Sequence, residues 1–358
     1  MRTRHVIVLL GWLVGCLFGC LFASLGSIGS ACAEDFRIDE VTAPRNTAVA
    51  ALKPGEIAFT DLAGSDAVDG SPKLINFATW ASKRPVQKKF LALFPAYTEP
   101  TIVRASKGTG EPELDQLYMY VAQARFVLDR APDAIELTRY VTLPFLERID
   151  PAIKHSQITA SDVTKFDDDA GTGNANPDRK WCTGRTTAIC IQSTYKLEGK
   201  IPIGVLLVNK LRDSVKKVAD HIDFQSELSA QTAAEADQAG LQELTGLDTP
   251  VTGVLEQDIF YVNQIMKFGK LLAVFQNHPT DVGKTVVTAF MSLGIKARVL
   301  DEKRDYENVP VLRNLAPAQV LMGGSSFNSG NSISAGLPKY ARNEISTIAG
   351  ILAKPAAK

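Results

Sequence analysis

The chain has 358 residues, with 39 Lys and Arg against 39 Asp and Glu, 45% hydrophobic residues and a mean hydropathy of +0.00. Those values exclude collagen-like, low-complexity and wholly disordered chains, and they leave ample apolar material for a core. A net charge of zero leaves no surplus cations to displace counterions from a phosphate backbone, so nucleic acid is excluded as a partner.

The start of the chain departs from that average. Arg2 and Arg4 precede a run, Val6 to Ile28, that is apolar or small and carries no charge; Ala31-Cys32-Ala33 then precedes Glu34. A basic segment, an apolar segment and an A-x-A site together read as an export signal over residues 1–33, which places the mature protein in the periplasm. The uncharged run is long enough to span a bilayer, so an uncleaved N-terminal anchor is the competing reading. A third is lipidation at Cys16, because Leu13-Val14-Gly15-Cys16 resembles a bacterial lipobox. Cleavage after Ala33 removes Cys16, Cys20 and Cys32 and leaves a slightly acidic body in which Cys182 and Cys190 form an even pair. In an oxidising compartment that pair reads as a local disulfide, contributing about 2–3 kcal/mol. Its spacing fits neither C-x-x-C redox chemistry nor a zinc site.

Along the mature chain, Glu56 to Leu62 reads as a short strand after Pro54-Gly55, and Phe77 to Phe94 as a helix broken at Pro85. Leu117 to Leu128 alternates Tyr118, Tyr120, Ala122, Ala124, Phe126 and Leu128 with Met119, Val121, Gln123, Arg125 and Val127, the period of a strand. Asp133 to Glu147 holds one or two short helices, and strands are expected near Ser156 to Phe166 and Ala188 to Glu198. Val208, Leu211, Val215, Val218 and Ile222 fall on a three-four repeat, which predicts a long amphipathic helix over Leu206 to Leu228 lying on an apolar surface. Residues 229–257 read as a linker or polar helix. Ile259 to Phe275 and Val282 to Ile295 are nearly free of charge and read as buried helices, Asp301 to Lys339 as irregular, and Tyr340 to Leu352 as a closing helix. The expected division is therefore an α+β domain over 34–228, the linker, and a mainly helical region over 258–358.

Groups that could carry chemistry are sparse. His155, His221 and His278 form no metal-binding pair, and Gly283-Lys284-Thr285 lacks the upstream glycine of a phosphate-binding loop, so neither a metal, a nucleotide nor another cofactor is expected. Asp167 to Asp178 gathers oxygen ligands without the spacing of a calcium loop. The stretch Gly323 to Gly336 is rich in Gly, Ser and Asn; Ser325, Ser326 and Asn328 make it a candidate binding loop, with a serine nucleophile as the lesser reading.

One resemblance is carried by particular residues. Ala124 to Ile135, with Asp129-Arg130-Ala131-Pro132-Asp133, looks like the opening strand and helix start of START-like (helix-grip) domains, and Phe145 to Ser156 is similar to the turn into their second strand. Leu197 to Pro202 then resembles the lead into the gripping helix, so the likeness spans about 117–228. It implies an antiparallel sheet gripped by a long helix, an apolar ligand held between the two, and no catalytic residues. Val208, Leu211, Val215, Val218 and Ile222 become ligand-binding candidates. The reading that follows is an exported, non-enzymatic protein binding an apolar or amphiphilic ligand or an envelope component, with contact to a membrane surface as a further expectation. An envelope assembly factor and a serine hydrolase using the 323–336 loop are the alternatives.

Overall fold

The computed structural model describes residues 39–41, 49–63, 67–68, 71–83, 85–96, 102–103, 113–114, 117–165, 176, 178–184, 187–196, 221–262, 266–296 and 331–354. In chain order these form β1 Asp39–Val41, β2 Glu56–Asp61, β3 Ala67–Val68, β4 Ser71–Asn76, α1 Phe77–Ser82, α2 Pro85–Ala92, β5 Ile102–Val103, β6 Glu113–Leu114 and β7 Leu117–Leu128. Two short 3-10 turns lead to α3 Leu143–Ile149 and β8 Ile153–Ile158. Then follow β9 Ala188–Lys196, β10 His221–Thr232, α4 Gln238–Thr245, β11 Val251–Val262, β12 Met266–Asn277, β13 Thr285–Lys296 and α5 Asn331–Ala353. The main sheet runs β1-β2-β7-β13-β12-β11-β10-β9-β8, with β4 bridging β3 and β7. Every pairing is antiparallel except β1 with β2.

Local signals explain the elements that were legible. Pro85 opens α2, where its missing N–H is no loss. Thr142 caps α3 by accepting from the Phe145 N–H at 3.3 Å. Asp237 caps α4, which ends at Gly246 in the left-handed region (φ +68°) that glycine enters without strain. Cys182 and Cys190 are joined in a disulfide, as their spacing suggested.

Several expectations are corrected. The C-terminal part of the expected 206–228 helix is strand β10: Ile222, Phe224, Leu228 and Ala230 alternate at period two, and only Ile222 also fitted the helical repeat. The expected linker is not one, because β10 pairs with β11 across it, and the sheet continues without a domain break. The region after 258 is not mainly helical: the two charge-poor runs are the end of strand β11 and strands β12 and β13, which place apolar residues on both faces and so lack the alternation that marks a half-buried strand. Helix α5 begins at Asn331 and runs through Pro338, so the expected irregular stretch is helical from 331 to 339. A long helix on the sheet is α5; of the expected 206–228 helix, residues 206–220 lie outside the described residues. His221 opens strand β10 and His278 follows β12, where the Thr280 N–H donates to its Nδ1 at 3.3 Å. The signal segment, Val208, Leu211, Val215, Val218, Ser325, Ser326, Asn328 and the acidic residues 167–175 lie outside the described residues.

Register sorts the side chains onto two faces. On the inner face, Tyr120, Ala124, Val287, Ala289, Ala273 and Leu255 are buried. Helix α5 packs there through Leu337, Ala341, Ile345, Ile348 and Leu352, all buried on one stripe. The outer face is covered too. Phe77, Trp80, Phe90 and Phe94 from α1, α2 and the turn after them, with Trp181 and Leu241, close over Met119, Val121, Phe260, Phe268, Leu272 and Phe290. Ring centroids lie 5.0 Å apart for Phe90–Phe94, 5.4 Å for Phe90–Phe290 and 4.4 Å for the stacked Trp181–Phe260.

Candidate functional site

Helix α5 sits toward one side of the inner face, over β7, β13, β4 and β2. One flank is pinned. Arg342 lies over the Phe59 ring at 5.4 Å and 3.8 Å from Asp61, which also accepts a hydrogen bond from the Tyr120 hydroxyl at 2.7 Å. The C-terminus is pinned as well: the Arg130 guanidinium donates to the carbonyls of Leu352 and Lys354, both at 3.2 Å, and to that of Ala134 at 2.7 Å. These contacts hold the helix near β7 and leave its other flank facing the middle and far strands.

On that side the inner face opens. Leu271 on β12 and Ile259 on β11 belong to central strands, yet both remain partly accessible, while the outer-face neighbours Lys270 and Leu272 are 4% and 2% exposed. Phe224, Gln257, Tyr195 and Ile222 follow on the same face and are likewise incompletely covered. An apolar side chain in mid-sheet that water still reaches implies a gap between helix and sheet. The α5 residues at its edge, Tyr340 and Glu344, are one turn apart and so share a face. Tyr340 keeps 42% of its surface accessible, while surrounding protein pushes its hydroxyl well above the ordinary phenol value, helped by Glu344, Asp150 and Tyr195. The Glu344 carboxyl is pushed up to about 8, chiefly by burial and then by the Asp150 charge.

The far wall is polar. Asp150, just after α3, accepts from the Ala152 N–H at 2.9 Å. His155 on β8 shares a 2.8 Å hydrogen bond with the buried Ser193 through Nδ1, while its Nε2 is buried without a partner among the described residues. Burial keeps this imidazole below its ordinary value against the pull of Glu147 and Asp150, so it is neutral at pH 7. No group of three or more His, Cys, Asp or Glu among the described residues could hold a metal ion.

Of the ligand-binding residues expected from sequence, Ile222 does face this recess, but from a strand rather than a helix. Tyr340, Glu344, Asp150 and Tyr195 were missed. The signal for the first two was present: they lie at i and i+4 in the closing helix, beside its apolar stripe. Cys182 and Cys190 belong to the outer face, where the Cys182 N–H donates to Glu227 at 3.1 Å.

No family model matches the chain, and no curated protein does. Solved structures do. The solved structures it resembles are START-like domains. One is the ZhuI aromatase/cyclase of Streptomyces sp. R1128, 8% identical, matched over 65% of this chain and 93% of that one with a TM-score of 0.32. Another is the human StarD13 lipid transfer and protein localization domain, 10% identical over 75% and 96%, TM-score 0.30. The STAR-related lipid transfer protein of Xanthomonas axonopodis is 9% identical over 68% and 99%, TM-score 0.25. Independently of those scores, the element order meets the START-like expectation: an opening strand β7, short helices, six antiparallel strands, and a long helix lying across the sheet.

Proposed function

We propose that the protein is an exported, non-enzymatic binder of an apolar or amphiphilic small molecule, held between α5 and the inner face of the sheet. The observation that carries this reading is that Leu271 and Ile259, apolar side chains on the inner face of the central strands β12 and β11, stay partly accessible beside α5, which packs over β7, β13, β4 and β2. Concave, largely apolar surfaces with a few polar groups at one end suit an amphiphile lying with its chain inward. The neighbours titled as lipid transfer proteins support the same reading. The test is extraction of the purified full-length protein with organic solvent, followed by mass spectrometry and by thermal melts with lauric acid, dodecyl maltoside and dodecyltrimethylammonium. A co-purified amphiphile or a clear rise in Tm is expected. An empty extract together with unchanged melts for all three would overturn the proposal.

A further inference from the structure

Residues 178–184 form a strap on the outer face that reaches three strands. The Cys182–Cys190 disulfide ties it to β9, the Cys182 N–H donates to Glu227 of β10 at 3.1 Å, and Trp181 stacks on Phe260 of β11 at 4.4 Å. The strap braces itself as well: the Arg179 guanidinium lies 4.6 Å over the Trp181 ring, whose Nε1–H donates to the Asn176 carbonyl at 3.3 Å. Asn176 Nδ2 in turn donates to the Pro95 carbonyl at 2.8 Å, joining it to the N-terminal layer. Two features suit the covalent tie to opening in the folded state. Cys182 has φ +61°, and among the described residues it is the one non-glycine residue in the left-handed region, where a Cβ crowds the following carbonyl. Such a backbone persists only while its surroundings hold it. Cys182 is also partly accessible, whereas Cys190 is 7% exposed, so a thiolate can approach from the Cys182 side.

We infer that the Cys182–Cys190 disulfide is a redox-sensitive latch: a dithiol reductant opens it in the folded protein, and the strap carrying Trp181 then lifts from β10 and β11 while the sheet stays paired. The reductant's thiolate attacks the Cys182 sulfur and forms a mixed disulfide there, Cys190 leaves as a thiolate, and the second thiol of the reductant expels Cys182. The reductant ends as a disulfide, two electrons have passed to the protein, and the two protons lost by the reductant are matched by two taken up at Cys182 and Cys190. Freed of the cross-link, Cys182 relaxes out of the left-handed region. That rotation turns its N–H away from Glu227 and swings Trp181 off Phe260, uncovering side chains that are 3% and 0% exposed in the latched state. The strap lies on the face opposite α5, so the latch stands independently of the ligand reading.

The experiment exposes the full-length oxidised protein to dithiothreitol at neutral pH without denaturant and follows the two cysteines by alkylation and mass spectrometry. Brief trypsin treatment then reads the strap, where Arg179 and Lys180 place two cleavage sites. Reduction should outpace global unfolding, and cleavage after Arg179 and Lys180 should then speed by about tenfold, while amide exchange in β12 and β13 stays unchanged. Cys182→Ser with Cys190→Ser should be cut as fast as the reduced protein. Cys182→Gly with Cys190→Ser should be cut about fivefold more slowly than that double serine variant, because glycine holds φ +61° without crowding. Equal rates for the two variants would remove strain as the cause of opening and overturn the latch. A disulfide that is reduced only as fast as the sheet unfolds, or a reduced protein cut no faster than the oxidised one, would overturn it too and leave the bond a structural brace.

Discussion

Lys270 is the least expected residue in the interior. It sits at the centre of the sheet on the outer face, 4% exposed, and its ammonium donates to Glu256 and to Asp258, each at 2.8 Å. Glu256 also accepts from Ser229 at 3.2 Å and Gln231 at 2.7 Å. Burial opposes ionisation of Glu256, but Lys270 and those donors outweigh it and hold its carboxyl below the ordinary range. Asp258 loses that contest: burial above all pushes it up to about 6 despite Lys270. Removing the cation strands two buried carboxyls, so Lys270→Met should cost about 3–5 kcal/mol in urea unfolding. Asp258 keeps its proton to a higher pH when folded than when unfolded, so its stabilising contribution is complete below about 4 and is lost as pH rises through about 6. Asp258→Asn should therefore flatten the Tm profile between pH 4 and 7, and an unchanged slope would contradict this account. The same sign applies to Glu344, which shifts from 4.5 to about 8. Glu344→Gln should melt with the parent at pH 4 and above it at pH 9.

At the scale of elements, legibility tracked burial. Strand β7 and the Pro85 break between α1 and α2 were readable because one alternation or one breaker decides each. Strands β12 and β13 were not, because apolar residues stand on both of their faces and their runs of Val, Leu, Phe and Ala carry no period. Helix α5 was cut short at its start because Pro338 reads as a stop, whereas the packed stripe from Leu337 to Leu352 carries the helix through it. That stripe alone does not fix the helix end; Arg130 does, by donating to two carbonyls of the last turn, where a cation also complements the helix dipole. Arg130→Ala should cost about 1–2 kcal/mol and raise amide hydrogen exchange selectively over 349–354. A uniform rise across the whole sheet would show that Arg130 acts on the fold rather than on this terminus.

At the scale of the whole molecule, the architecture was half legible. Strand β7, the short helices and the closing helix could be read, but the long strands of the second half hid as helices. What no local pattern showed is the second layer. Helix α5 covers the inner face of the sheet; the N-terminal segment covers the outer face as well, and it does so with large rings. Phe77 meets Phe94 at 5.1 Å, and Phe94 meets Phe268 of β12 at 6.3 Å, so the layer is keyed into the central strands rather than resting on them. The two layers should therefore fold as one unit. A shortened chain lacking residues 39–96 would expose Phe268, Phe290 and Leu272 in one patch. It should be insoluble or bind a hydrophobic dye strongly, with no cooperative melt. A milder probe, Phe90→Ala, should cost about 3–5 kcal/mol while leaving the protein soluble. A monodisperse, cooperatively melting product from the 39–96 deletion would instead show that the helix-grip half folds alone and that the outer layer is an accessory.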